Sequence, residues 1–242
     1  EDALAIISAE PLARSLQKRI ILQRKVGTTF ARQGSYDEAL MCFNLAMATL
    51  KESAEPSPVE RAQALNEIGW INFQRGNFDE AGRSLREALA LVEQTSAYDI
   101  IASIYNRMGA VAFESGDLSQ AANYARQSLM LRENMGDTVG VARMYNNLGM
   151  MSWRLGEWKQ ALENYSHSLR LLEQIGDVDG IAIAHNNRGL LFTDQGNVAA
   201  ARAELEAGLK AAQQIGNMFY VARAHMNLGR LWNVVGDWDK AA

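Results

Sequence analysis

Six times along the chain a glycine is followed seven residues later by a second glycine and five residues after that by an alanine. The triplets are Gly27/Gly34/Ala39, Gly69/Gly76/Ala81, Gly109/Gly116/Ala121, Gly149/Gly156/Ala161, Gly189/Gly196/Ala201 and Gly229/Gly236/Ala241. Their leading glycines stand 42, 40, 40, 40 and 40 residues apart. A fixed period in that range belongs to stacked supersecondary units, each leaning on its neighbours, rather than to one globular core. Length therefore counts repeats. The 242 residues are expected to form one array over 1–242, with the end of a preceding helix at 1–13 and repeats at about 14–54, 55–97, 98–137, 138–177 and 178–217, then a shortened one at 218–242. The chain opens on Glu1 rather than methionine and closes at Ala242, early in the sixth repeat, so it is expected to be cut from something longer.

Within a repeat, Val139 to Leu155 carries apolar residues at helical spacing and meets Gly156, where a left-handed closing residue is cheapest for glycine. The next position reads Ser35, Asn77, Asp117, Glu157, Asn197 and Asp237; all but Glu157 are favoured N-cap residues, so a second helix starts there. Glu38, Glu80, Gln120 and Gln160 lie three residues on and predict a reciprocal capping box in the first four repeats. Gly136, Gly176 and Gly216 close later second helices, followed by the helix starters Asp137, Asp177 and Asn217. Pro11, Pro56 and Pro58 are expected between helices, and the two extra residues of the first interval in a longer turn within 51–60. The leading glycine and the alanine twelve residues later are small because helices should approach most closely there.

Composition narrows the class. Hydrophobic residues make up 48% and charged residues 21%, ordinary for a packed, water-soluble protein. The single Cys42 excludes an internal disulfide framework, and no run of about 18 apolar residues could span a bilayer, so the cytoplasm is the expected compartment, with no membrane partner.

These columns, with an aromatic or leucine after the capping residue (Tyr36, Phe78, Leu118, Trp158, Trp238), resemble the tetratricopeptide repeat over nearly the whole chain. The spacing is similar to the version of about 40 residues found in kinesin light chains, Pins-type polarity scaffolds and bacterial multidomain regulators. The family's proline late in the second helix is absent; Gly-Asp and Gly-Asn junctions stand in its place. The resemblance implies an all-α fold, a right-handed alpha-alpha superhelix (TPR solenoid) of about six helix-turn-helix repeats. It also implies that the first helices line a groove that grips a peptide.

On those first helices Asn66, Asn106, Asn146 and Asn186 lie three residues before the leading glycine, and Asn147, Asn187 and Asn227 two before it. An asparagine amide both donates and accepts, so such a ladder can pair with a peptide backbone without selecting its side chains. The competing reading, that the amides bind water or buttress the adjacent helix, stays open. Trp70, Phe73, Phe113, Met150, Trp153 and Leu190 fall on the same face and offer apolar pockets, although part of this set is expected to be core. The six first helices carry +6, 0, −1, +2, −1 and +2, together +8 in a chain of net −4. A basic inner surface would attract an acidic peptide, with Arg143, Arg154, Arg223 and Arg230 as carboxylate partners. The carboxylate clamp of chaperone adaptors is not reproduced, since Asn146 and Met150 stand where lysine and asparagine would be needed.

Arg188 interrupts an otherwise apolar column (Val26, Ile68, Met108, Leu148, Leu228) and is expected to snorkel to the helix edge. His185 and His225 share a column with Tyr105 and Tyr145 and are expected to pack rather than to bind metal. No phosphate-cradling glycine loop, nucleophile motif or metal-ligand cluster occurs, so the segment is expected to be non-catalytic, without cofactor or nucleic-acid partner. The first reading is a protein- or peptide-binding scaffold within a larger regulatory protein. The alternatives are a domain that senses a small peptide or metabolite and controls an attached effector, or a scaffold that self-associates through its array ends.

Overall fold

A computed structural model describes residues 16–52 and 57–236. These residues form eleven α-helices and no strands: α1 (Leu16–Arg32), α2 (Tyr36–Lys51), α3 (Pro58–Gln74), α4 (Phe78–Val92), α5 (Tyr98–Glu114), α6 (Leu118–Met135), α7 (Thr138–Arg154), α8 (Trp158–Ile175), α9 (Val178–Asp194), α10 (Val198–Gln214) and α11 (Met218–Val235). Odd-numbered helices are the first, even-numbered the second, of successive helix-turn-helix repeats. Asp237, Trp238, Ala241, Pro11 and Pro56 lie outside the described residues.

The second glycine of each triplet does what the spacing predicts. Gly76 (φ +78°) and its five equivalents all adopt the left-handed conformation, and the chain turns from first helix to second there. The turn is closed by backbone bonds, Gly76 N–H to the Phe73 carbonyl (2.9 Å) and Asn77 N–H to the Asn72 carbonyl (2.8 Å), and it recurs at 112–117 and 152–157. That closure overturns the predicted capping box. The N-cap amide that a glutamate or glutamine would have to reach is already donated to the preceding helix, so Gln120 turns to the Tyr124 hydroxyl and Glu80 to Arg83. Ser35, Asn77 and Glu157 make no side-chain cap either, whereas Asp117 and Asn197 accept from the amides of Gln120 and Ala200.

Starts of first helices are better capped. Asp137, Asp177 and Asn217 accept from the amides of Gly140, Gly180 and Tyr220. Burial pushes the Asp137 carboxyl up, but the Gly140 amide bond and the Arg132 guanidinium outweigh it and hold the group below its ordinary value. Pro58 is not between helices as expected. It opens α3 at the position where a missing amide costs nothing, behind the Ser57 cap.

The chain divides into two compact units, Glu1–Tyr124 and Ala125–Ala242. In the first, α1 pairs with α2 and α3 with α4, α2 packs on α3, α4 on α5, and the first helices α1, α3 and α5 lie side by side. In the second, α7 pairs with α8 and α9 with α10, α8 packs on α9, α10 on α11, and α7, α9 and α11 lie side by side.

One core element recurs in both units: the alanine of the triplet, a large residue four positions later, and an aliphatic residue from the next repeat. Ala39, Phe43 and Ile71 form it in the first unit, and Ala161, Tyr165 and Leu191, then Ala201, Leu205 and Leu231, in the second. The leading glycine makes room for its large residue. A β-carbon on Gly149 would stand 2.6 Å from the Tyr165 ring, and one on Gly189 2.6 Å from Leu205. Small size at that column is therefore a packing requirement, as the sequence predicts.

Candidate inner face of the first helices

On α7, Arg143, Asn146, Asn147, Met150, Trp153 and Arg154 follow one another at helical spacing and remain at least partly exposed. The opposite side of the same helix, Ala142, Met144, Leu148, Gly149 and Met151, is buried. The helix thus packs with its apolar stripe and presents a band of amides, guanidinium groups and sulfur- or ring-bearing side chains. In the first unit α5 places Asn106 and Phe113, both half-buried, on the corresponding face.

The asparagine ladder is brought together, and much of it is spent on neighbouring helices. Asn187 Nδ2 donates to Asn146 Oδ1 (2.9 Å), and Asn227 Nδ2 donates to Asn186 Oδ1 (2.6 Å). In each case the second asparagine column of one repeat donates to the first column of the repeat before it. Arg223 lies 3.4 Å from Asn187 Oδ1 and extends this chain. In the first unit the same register is filled differently. Arg107 donates to the Asn66 carbonyl (2.6 Å) and pairs with Glu67 (3.0 Å), while Asn66 Nδ2 donates to Ser103. Asn66, Asn186, Asn187 and Asn227 are buried; Asn106, Asn146 and Asn147 stay half-exposed.

Several predicted pocket residues are part of the packing. Trp70 stacks on Phe73 (4.9 Å between ring centroids), the Arg107 guanidinium lies over the Trp70 ring at 5.4 Å from its centroid, and Phe73 tilts against Phe78. Met150 and Trp153 lie against the Ala161/Tyr165/Leu191 core. Leu190 is half-buried. Trp153 Nε1 also donates to Asp194 (3.1 Å), whose other oxygen pairs with Arg230 at 2.7 Å. Arg230 therefore has an internal carboxylate, whereas Arg143 makes no ion pair among the described residues. Arg154 is exposed.

Arg188 does not snorkel. It pairs with Glu204 of α10 at 2.9 Å, and His185 Nδ1 meets the other oxygen of the same carboxylate at 2.8 Å. Burying a guanidinium in an apolar column is costly unless a charge answers it, and Glu204 does so from within the repeat. His185 is accordingly a polar partner rather than the packing residue expected, and His225 is exposed. Glu204, Asp194 and Ser103 were not singled out from sequence. Glu204 had a signal, because its column otherwise reads Cys42, Ser84, Tyr124 and Asn164 and so departs in the same repeat as Arg188.

Among the described residues no group of three or more His, Cys, Asp or Glu side chains is placed to hold a metal ion, and no helix is long and apolar enough to cross a membrane.

The tetratricopeptide repeat family model matches residues 18–94, 60–134 and 140–214, and a second model of that family matches 222–242. No curated protein sequence matches the chain. Solved structures do. Apo RapI aligns with a TM-score of 0.77 at 14% identity, over 90% of this chain and 81% of its own. A Rap protein complexed with competence and sporulation factor aligns with a TM-score of 0.76 at 12% identity, over 92% and 71%. The pilF protein of Pseudomonas aeruginosa aligns with a TM-score of 0.66 at 19% identity, over 93% and 88%. At these identities the likeness is one of fold.

Proposed function

The chain belongs to the tetratricopeptide repeat family, and from that premise we propose that it is a non-catalytic scaffold whose first helices hold an extended, acidic peptide as part of a larger regulatory protein. The observation that carries this reading is the α7 band, where Arg143, Asn146, Asn147 and Met150 occupy successive turns of one face and stay accessible. Asn146 uses only its oxygen on Asn187, so its two N–H groups remain to donate to a peptide carbonyl. Arg143 and Arg154 supply positive charge beside it, and an Arg–carboxylate contact is charge-assisted and directional. The buried Asn186, Asn187 and Asn227 fix the spacing of this face, with Arg223 behind them. Trp70, Phe73, Phe113 and Trp153 border it as apolar anchors, partly spent on the core.

Capture from a synthetic library of ten-residue peptides tests the proposal. Acidic peptides should be retained over neutral ones, and retention should fall as salt screens exposed charges. Arg143→Gln/Arg154→Gln should weaken it by at least about tenfold, the worth of one charge-assisted contact. Equal retention of acidic and neutral peptides, unchanged by the double substitution, would remove the proposal.

A second reading, self-association, is favoured by α11, where Met218, Phe219 and Met226 are each about 70% exposed on a helix that is otherwise part of the fold. Light scattering that rises with concentration and is suppressed by Phe219→Lys/Met226→Lys supports it; concentration-independent scattering excludes it.

A further inference from the structure

The N-terminal halves of α7 and α9, the C-terminal half of α8 and the start of α11 enclose a cleft of about 220 Å³. Its floor is the part of α8 that carries Ser168 and Leu172, both buried. Ser168 is wholly covered, and its hydroxyl has no hydrogen-bond partner. A serine in a helix commonly returns its proton to the carbonyl four residues back, as Ser166 does to Leu162, and Ser168 does not. Ile183 and Tyr220 form the apolar walls.

The rim carries charges of both signs. Arg143 is exposed and makes no ion pair among the described residues. Asp179 is also exposed; it accepts from Asn217 Nδ2 at 3.1 Å but meets no cation at ion-pair distance. The remaining carboxylate, Asp177, is occupied in capping α9 through the Gly180 amide at 3.0 Å. Asp177 is the N-cap of α9 and Asp179 lies in its first turn, where the helix end offsets part of their charge. The field at the rim therefore favours neither a simple anion nor a simple cation, and a cation and a carboxylate line one small cleft without touching each other.

Size limits what can answer both. The volume is below the roughly 300–1,000 Å³ of sites for drug-sized ligands. It is far below what a folded segment needs. We propose that the cleft binds a single zwitterion of the α-amino-acid class. Its carboxylate lies on Arg143 and the free N–H groups of Asn146, its ammonium on Asp179, and a side chain passes Leu172 and Ile183 to end in a polar group on the Ser168 hydroxyl. Hydroxyl- and carboxamide-bearing amino acids are the favoured ligands, because an unpaired buried hydroxyl gains most from a partner that can bond to it. The site gives this chain a small-molecule input that shares Arg143 and Asn146 with the proposed peptide-binding face and adds Asp179 and Ser168, which that face does not use.

Calorimetric titration of the chain with free serine, threonine, asparagine, glutamine and leucine, at concentrations on the order of 10 mM, tests it. At least one polar amino acid should bind. Acetylating its amino group or amidating its carboxyl should each weaken binding by about tenfold or more, as should Arg143→Gln and Asp179→Asn. Ser168→Ala should remove the preference for polar over aliphatic side chains. Arg143 and Asp179 are exposed, so both single variants should melt as the parent does. No binding of any free amino acid overturns the proposal, and so does binding indifferent to Arg143→Gln and Asp179→Asn, or recognition only of the same residue within a peptide. Asp179→Asn also separates this inference from the peptide reading, since it should weaken amino-acid binding by about tenfold or more and leave retention of acidic peptides undiminished.

Discussion

Two neighbouring regions of the second unit use the same kinds of polar side chain to opposite ends. Midway along α9 and α11, Asn186, Asn187 and Asn227 are buried and bonded to asparagines one repeat away. One turn or two towards the N-termini of α7 and α9, Arg143 and Asp179 are exposed and in no ion pair among the described residues, with the orphaned Ser168 hydroxyl beneath them. Polar groups spent on the next repeat hold the array in register; polar groups left over are the ones that can meet a ligand. The contrast warns against equating a ladder of amides with a binding site, because burial and pairing decide which amides are available.

The largest effect that would sharpen this division comes from the packing beneath both regions. Ala161 is fully buried between Tyr165 and Leu191, so Ala161→Leu overpacks the joint between repeats and should lower unfolding free energy by about 3 kcal/mol in a urea titration. An unchanged midpoint would show that the alanine column is not a contact between repeats. Glu204 answers two groups, Arg188 and His185, from within one repeat, and Glu204→Ala should cost about 2 kcal/mol by leaving a largely buried guanidinium unpaired. A loss no larger than that of an exposed surface glutamate would mean Arg188 is solvated after all. At the small end, Tyr165 carries a buried hydroxyl without a partner, and burial pushes its pKa well above the ordinary phenol value. The equivalent positions hold Phe43, Leu85, Ala125 and Leu205, none with a hydroxyl, so Tyr165→Phe should change stability by no more than about 1 kcal/mol, in the stabilising direction, by thermal melt.

The fold was legible because each element has a local cause. The positive-φ glycines, the small residues of the close-approach columns and the Asp or Asn caps of first helices can all be read from one repeat at a time. The capping boxes misled because the competing acceptor is a backbone carbonyl, which no side-chain pattern records: the turn closure had already taken the amide. The site was legible in its columns but not in its pairings. Whether Asn186 faces a ligand or Asn227 depends on the offset between neighbouring repeats, and that offset comes from packing rather than spacing. Arg188 and Glu204 show what sequence could have offered, since two columns broken in the same repeat point to each other.

The claim on which the division rests is that the buried asparagines are joints between repeats. A double-mutant cycle with Asn186→Ala, Asn227→Ala and the pair, followed by urea unfolding, measures it directly. The account predicts that the two substitutions are coupled by about 1 kcal/mol, the second costing less once the first has been made. Strictly additive losses of stability, or single variants that keep full stability and lose peptide retention instead, would contradict it.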